Sequence, residues 1–494
     1  MTADRATRTE TTTDPDPARW RILAVTLAVG FMSLLDVTIV NVAIPSMREG
    51  LDTSAASIQW VVSGYALTFG LMLVTGGRLG DAWGRRRIML VGLAGFVLAS
   101  AACGLAPTAG VLVAARLVQG LSAGLLAPQN TGLIQDLFTG AERGRAFGLF
   151  GLVVSVASGI GPVLGGVIIT LAGEDGGWRW VFLVNVPIGL VLLVAIARIV
   201  PDLRGSDQDP RLDLVGALLL GVAVMSLLLP VVALESGDTW ALGLLVGVPV
   251  FAWAFVAWER RLSRTGGMPL LDVGLLRRTP GYANGIVVGT LYFTGFTGVF
   301  LVLSIYLQDG LGYSTLVTGL LLTPFAVGSA ISSPWAGRAV TRVGRPLVVR
   351  ALLVMMSGLV VLGVLVGPAQ DTRWLWLALA APLLLAGLGG GAVVSPNFTL
   401  TLARVPQRMG GAAGGALQTG QRVGSAIGAA VLVTAYQMGA GGGDDAAGGL
   451  RAALGAALVL LLAALAAAFW DGRRRAAAQD ADEESDEEES GVPG

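Results

Sequence analysis

Between Trp20 and Trp470 the sequence passes through fourteen apolar stretches of about 20 residues, parted by short polar segments. A stretch of that length crosses the hydrocarbon core of a bilayer as a helix. In lipid, a spanning segment must satisfy its own backbone hydrogen bonds, which leaves only helices or a closed barrel. The pattern predicts an all-α, polytopic membrane protein with 14 transmembrane helices. Composition agrees: 54% of the 494 residues are hydrophobic and the mean hydropathy is +0.72. Only 13% are charged, about half the share usual in a soluble domain. The 71 glycines suit helices that approach closely in lipid.

Arginine placement orients the stretches. All 33 basic residues are Arg, because the sequence holds no Lys. With the N-terminus inside, 27 arginines fall on cytoplasmic segments and four outside, namely Arg48, Arg179, Arg373 and Arg451. This is the bias of positive-inside sorting. The outer loops carry Glu174, Asp175, Glu235, Asp238, Asp444 and Asp445 instead. An even helix count follows, with both termini cytoplasmic. The first twenty residues lack an apolar core before Trp20, so they read as a retained segment, not a cleaved signal peptide.

An internal repeat divides the chain. Gly77-Arg78 … Gly84-Arg85 recurs as Gly337-Arg338 … Gly344-Arg345, and GLSAGLLAPQNT from Gly120 resembles GLGGGAVVSPNFT from Gly387. Two matches in one order at nearly one offset imply two six-helix halves. The expected division is a cytoplasmic N-terminal segment at 1–19, a first half at 20–200, a two-helix insertion with flanking loops at 201–280, a second half at 281–470, and an acidic disordered tail at 471–494.

Charges inside apolar stretches are costly and therefore informative. Three stand out: Asp36, Arg116 and Arg422. With no His in the chain, proton chemistry near neutral pH falls to carboxylates. Asp36 is the candidate proton carrier and Arg116 the cation that would tune it; the competing reading is a fixed ion pair between helices. Arg422 reads first as structural, with the central cavity as its alternative. Gly77, Arg78, Asp81, Gly84, Arg85 and Arg86 read as a charged cytoplasmic clasp, in which Gly permits the turn and Asp81 caps a helix or holds an Arg. The later copy has Thr341 where Asp81 stands. Gly161, Pro162, Gly165 and Gly166, with Ala157, form a small-residue face, and Gly420, Gly424 and Gly428 repeat its spacing. Asn41, Trp60, Tyr65, Gln119, Gln129, Asn130, Tyr292, Phe296, Asn397 and Gln418 are candidates for the substrate cavity, with packing as the alternative for each.

These stretches together resemble the drug:proton antiporters with fourteen helices in the major facilitator superfamily. LDVTIVNVAIP at Leu35 resembles that family's first-helix motif, and GRLGDAWGRRR at Gly77 resembles the superfamily's loop between its second and third helices. Leu112 … Arg116 … Gln119-Gly120 … Gly124 resembles the motif linked to proton coupling. The antiporter motif fits Gly148, Gly161, Pro162, Gly165 and Gly166, with Ala157 in place of a Gly. WRWVFLVNVPIG at Trp178 and YLQDGLGYS at Tyr306 match as well. The resemblance implies a secondary active exporter that trades protons for small amphiphilic compounds such as drugs or antibiotics. Two alternatives stand beside it: an exporter dedicated to one metabolite, lipid or peptide, and a non-transporting membrane sensor or scaffold. No nucleophile triad, metal cluster or phosphate loop is legible, so no enzyme, ATP use, cofactor or nucleic-acid partner is expected. The expected partners are substrate, protons and the bilayer, around a monomer. The Arg-, Ala- and Gly-rich composition points to GC-rich codons and a bacterial inner membrane.

Overall fold

In the computed structural model the described residues are 18–173, 176–202, 213–235, 240–369, 374–441 and 445–490. Glu174, Asp175, Asp238, Arg373 and Asp444, cited above for orientation, lie outside them, as do most of the N-terminal segment, much of the 201–212 linker and the last four residues. Among the described residues the regular elements are all helices, with no strand.

The helices are α1 (Ala18–Gly50), α2 (Ala55–Trp83), α3 (Arg85–Gly104), α4 (Ala109–Leu137), α5 (Gly140–Ala172), α6 (Gly177–Leu183), α7 (Asn185–Ile199), α8 (Leu214–Glu235), α9 (Gly247–Arg264), α10 (Leu275–Arg278), α11 (Tyr282–Ile305), α12 (Thr315–Val343), α13 (Arg345–Ala369), α14 (Leu375–Leu402), α15 (Gly410–Gly439) and α16 (Ala446–Ser490). Twelve helical passages among the described residues are long and apolar enough to cross a membrane. Leu214–Pro230 is a shorter apolar helix, and α15 is not among the twelve. Glycines, glutamines and Arg422 dilute the hydropathy of α15, which packs on α11, α2, α16 and α4.

The packing repeats. The pairs α1–α5, α2–α4 and α3–α4 in the first set have counterparts in α11–α15, α12–α14 and α13–α14. The sets meet along α5–α12 and α2–α15, while α8 and α9 pair with each other and α8 leans on α2 and α15. Between lipid-facing helices there is little hydrophobic drive, so close approach of backbones supplies the adhesion. At the meeting line a Cβ on Gly77 would strike the Gly411 carbonyl, and Gly144 and Gly337 abut across α5–α12.

Three expectations change. The stretch from Gly77 to Arg87 is not a loop: α2 runs to Trp83, α3 begins at Arg85, and only Gly84, at φ 96°, makes the turn. Gly344 does the same between α12 and α13 at φ 68°. A side chain would be strained at such φ. The stretch from Trp178 to Val200 stays one crossing, Gly177–Ile199, with a turn at Val184 between α6 and α7. The acidic tail is helical: α16 continues to Ser490. Asp471, placed in that tail by its charge, is buried at 2% exposure against Arg345.

Candidate functional site

Asp36 sits a little past the middle of α1 and is fully buried. A lone carboxylate there would be prohibitively costly, and the structure surrounds it with donors. Arg116 Nη1 of α4 lies 2.6 Å from Asp36 Oδ2. Asp36 Oδ1 accepts from Gln119 Nε2 at 3.0 Å and from Asn185 Nδ2 at 2.8 Å. Ser100 of α3 joins the net, accepting from Gln119 at 2.8 Å and from Asn185 at 3.2 Å. Arg116 Nη1 donates to Gln119 Oε1 at 2.8 Å, and its Nε to the Val61 carbonyl at 3.0 Å. The guanidinium stands over the Tyr65 ring, 4.2 Å from its centroid. One buried carboxylate thus ties α1 to α4 and α7, with α3 and α2 completing the cage. Removing either charge would leave the other buried without its counter-charge, so the pair and the packing of these helices stand together.

The small-residue face of α5 packs just beyond this cage. Gly161 abuts Thr38, Gly165 abuts Ile39, and Thr38 Oγ1 donates to the Ala157 carbonyl at 3.2 Å. Gly420, Gly424 and Gly428 of α15 meet Thr290 and Thr294 of α11 in the same manner. Pro162 and Gly166 turn toward α12, near Gly319 and Leu316.

The arginine-rich end holds a second constellation. Asp81 Oδ1 and Oδ2 accept from the backbone N–H groups of Gly411, at 3.0 Å, and Ala412, at 2.8 Å. These are the first-turn donors of α15, free of intrahelical partners and favourable to negative charge. Arg85 pairs with Asp81 at 2.9 Å and with Asp136 at 2.5 Å. Arg78 reaches Met268 Sδ at 3.4 Å, and Arg86 donates to the Ala197 carbonyl. Beneath this polar layer Phe147 and Phe150 of α5 pack on Phe398 of α14 at 5.6 Å each. They belong to an apolar cluster that draws on both helix sets, from Leu23 to Leu417. At the opposite end the cluster around Trp178 draws on the first set alone. The two sets are therefore closed together at the arginine-rich end.

Several cavity candidates are placed elsewhere by the structure. Gln119 belongs to the Asp36 cage, and Gln129 donates to the carbonyls of Gly76 and Leu125. Tyr292 donates to the Gly390 carbonyl and stacks on Phe296, which in turn stacks on Phe325. Asn397 accepts from Arg345 Nη1 at 2.9 Å and donates to the Gly285 carbonyl at 3.0 Å. Asn130 is buried beside Gly30, Asn41 is exposed and Trp60 partly buried. Tyr65, Gln418 and Arg422 remain near the line where α2 meets α15; Arg422 stands 4.6 Å over the Phe69 ring. Sequence reasoning missed Ser100, Asn185, Asp136 and Asp471. Asn185 lay within the quoted WRWVFLVNVPIG stretch, and Asp136 stands at the end of an apolar run; Ser100 gave no signal.

The sequence profile of the Major Facilitator Superfamily matches residues 26–429. Among curated relatives, the probable actinorhodin transporter of Streptomyces coelicolor is 36% identical over 425 residues, covering 85% of this chain and 73% of the relative. The puromycin resistance protein pur8 of Streptomyces alboniger is 39% identical, covering 85% and 82%. The tetracenomycin C resistance and export protein of Streptomyces glaucescens is 33% identical, covering 83% and 74%. Among solved structures, the human organic anion transporter MFSD10 superposes with a TM-score of 0.68 at 18% identity, covering 92% of this chain and all of that one. The proton:xylose symporter XylE gives 0.65 at 15% identity, covering 93% and 96%. Both likenesses show the fold.

Proposed function

The chain belongs to the major facilitator superfamily, and from that premise we propose that it is a proton-coupled exporter of small amphiphilic compounds such as antibiotics. It is a transporter and no enzyme, with exporters among its relatives. The observation that carries proton coupling is the buried Asp36–Arg116 pair inside a cage of amides and hydroxyls, where no histidine is available. A carboxylate held by a cation and by neutral donors can take a proton only if that cage rearranges. Linkage then requires that substrate and proton oppose each other to the same degree in both directions.

On this reading α8 and α15 complete fourteen spans, the repeated helix sets are the two rocking halves, and α8–α9 is the insertion. Asp81 and Arg85 hold the cytoplasmic side, both termini face the cytoplasm, and a monomer works in the bacterial inner membrane. The test is gradient-driven efflux from proteoliposomes with an imposed pH gradient, wild type against Asp36→Asn at matched amounts. The variant keeps the size of the side chain and should insert, lose uphill efflux, and lose the pH dependence of substrate binding. Full export by the Asn variant would place the proton elsewhere and leave Asp36 as a packing residue.

A narrower reading, export of a single compound, is favoured by relatives named for single antibiotics. Efflux of puromycin and ethidium side by side separates the two: transport of both supports breadth.

A further inference from the structure

Most charged groups buried in the bundle are matched. Asp36 has Arg116, Asp81 and Asp136 have Arg85, and Asp471 has Arg345. Arg422, which is partly buried, is different. It lies twelve residues into α15, about 18 Å from the arginine-rich end at the helical rise. Among the described residues no carboxylate or hydrogen-bond acceptor is paired with it; it stands over the face of Phe69 and near Tyr65, across the meeting line of the two helix sets. One helical turn earlier, on the same face of α15, Gln418 is 9% exposed and its amide nitrogen has no acceptor among the described residues. On the facing α2, Tyr65 is 2% exposed and its hydroxyl is likewise without a partner among them. Tyr65 stacks on Phe69, with centroids 6.0 Å apart and ring planes 15° apart.

Three donors without acceptors, one of them a full positive charge, line one seam beside two parallel rings. The Tyr65 hydroxyl and the Gln418 amide nitrogen are buried in that state, which is costly unless something arrives to accept from them. We infer that Arg422, Gln418 and Tyr65 form a substrate subsite that takes the anionic, acceptor-rich edge of a planar aromatic compound, an aryl carboxylate or phenolate. A guanidinium presents a planar fork that fits a carboxylate in two-point fashion, and the Tyr65–Phe69 pair, whose faces are taken by Arg116 and Arg422, offers ring edges to the flat part of the same molecule. The inference rests on the exporter reading, in which substrate passes between the helix sets. It also assigns the charge preference of the cavity: Asp36 is already matched by Arg116, so the net charge offered to substrate at this seam is positive. Arg116 stands over the far ring of the Tyr65–Phe69 stack and screens Asp36 from the bound anion.

The test uses the full-length protein in lipid nanodiscs at fixed pH and three probes of similar size: 1-hydroxy-2-naphthoate, its methyl ester, and the planar cation ethidium. Equilibrium binding is measured for wild type, Arg422→Gln, Arg422→Lys and Gln418→Ala, each first checked for monodispersity and thermal melting. Wild type should prefer the naphthoate to its ester. Arg422→Gln should weaken the naphthoate by about tenfold or more and leave the ester unchanged, as expected for loss of a hydrogen bond to a charged group. Arg422→Lys should fall between, and Gln418→Ala should weaken the naphthoate by a smaller factor. Naphthoate binding that is absent in wild type, weaker than ethidium, or indifferent to Arg422→Gln overturns the subsite. Asp36→Asn serves as the separating control. Arg422-dependent naphthoate binding in a protein that shows no gradient-driven efflux would keep the subsite and discard proton-coupled export. Asp36-dependent efflux with no Arg422 effect would do the reverse.

Discussion

Asp81 of α2 caps the start of α15 at Gly411, across the line where the two helix sets meet. The approach is possible because Gly77, one turn earlier on α2, has no side chain to strike the Gly411 carbonyl. The same carboxylate holds Arg85 of α3, and Arg85 holds Asp136 of α4, so one chain of contacts secures four helices, α2, α3, α4 and α15.

Replacing Asp81 by Asn should slow efflux while leaving substrate affinity near wild type, because the contact is far from the middle of the bundle and belongs to one closed arrangement. A carboxylate at a helix start is worth about 1 kcal/mol, so a rate governed by making this contact should fall about fivefold. Efflux rate and equilibrium binding measured on the same preparation check this. A normal rate in a well-expressed variant would reduce the Gly77–Arg87 stretch to an orientation signal.

Asp471 should behave as an anchor, unlike the acidic run that follows it. Its Oδ2 lies 2.6 Å from Arg345, its Oδ1 accepts from Asn284, and Arg345 also holds Asn397. Asp471→Ala leaves a buried guanidinium unmatched, a change that costs about 3–5 kcal/mol in buried pairs. Thermal melting in detergent should drop clearly for Asp471→Ala, whereas truncation after Arg475 should melt near wild type. Equal loss in both would give the acidic segment a structural role.

The topology carries its own check. Reporter fusions after Gly205 and after Gly494 should read cytoplasmic, and one after Asp238 should read external. An external signal at Gly494 would require an odd number of spans and would undo the pairing of α1–α7 with α11–α16.

Asp36 and Arg116 were legible because a charge in an apolar run is conspicuous whatever its partner. The small-residue faces were legible because period-four spacing is a property of one helix. The rest of the cage was not. Asn185 and Ser100 lie 149 and 64 residues from Asp36 and are ordinary polar residues in their own helices; only the packing of α7 against α1 and α3 brings the Asn185 amide to the carboxylate and sets the Ser100 hydroxyl beside it as an acceptor. The two copies of the Gly-Arg repeat make the same point. Arg85 and Arg345 stand in equivalent places after a positive-φ glycine, yet Arg85 takes Asp81 and Asp136 while Arg345 takes Asp471 from the last helix. Thr341 in place of Asp81 announced that the copies differ, without saying where Arg345 would turn.

By itself the sequence determined the solvent, the helical class and the residues too costly to bury without a purpose, because hydropathy, period and isolated charge are local quantities. Which donors enclose Asp36, which helix start Asp81 caps, and that Arg422 is left without an acceptor were decided only by tertiary structure. Each of those facts is a distance between helices far apart in the chain, and close packing, not composition, sets such distances.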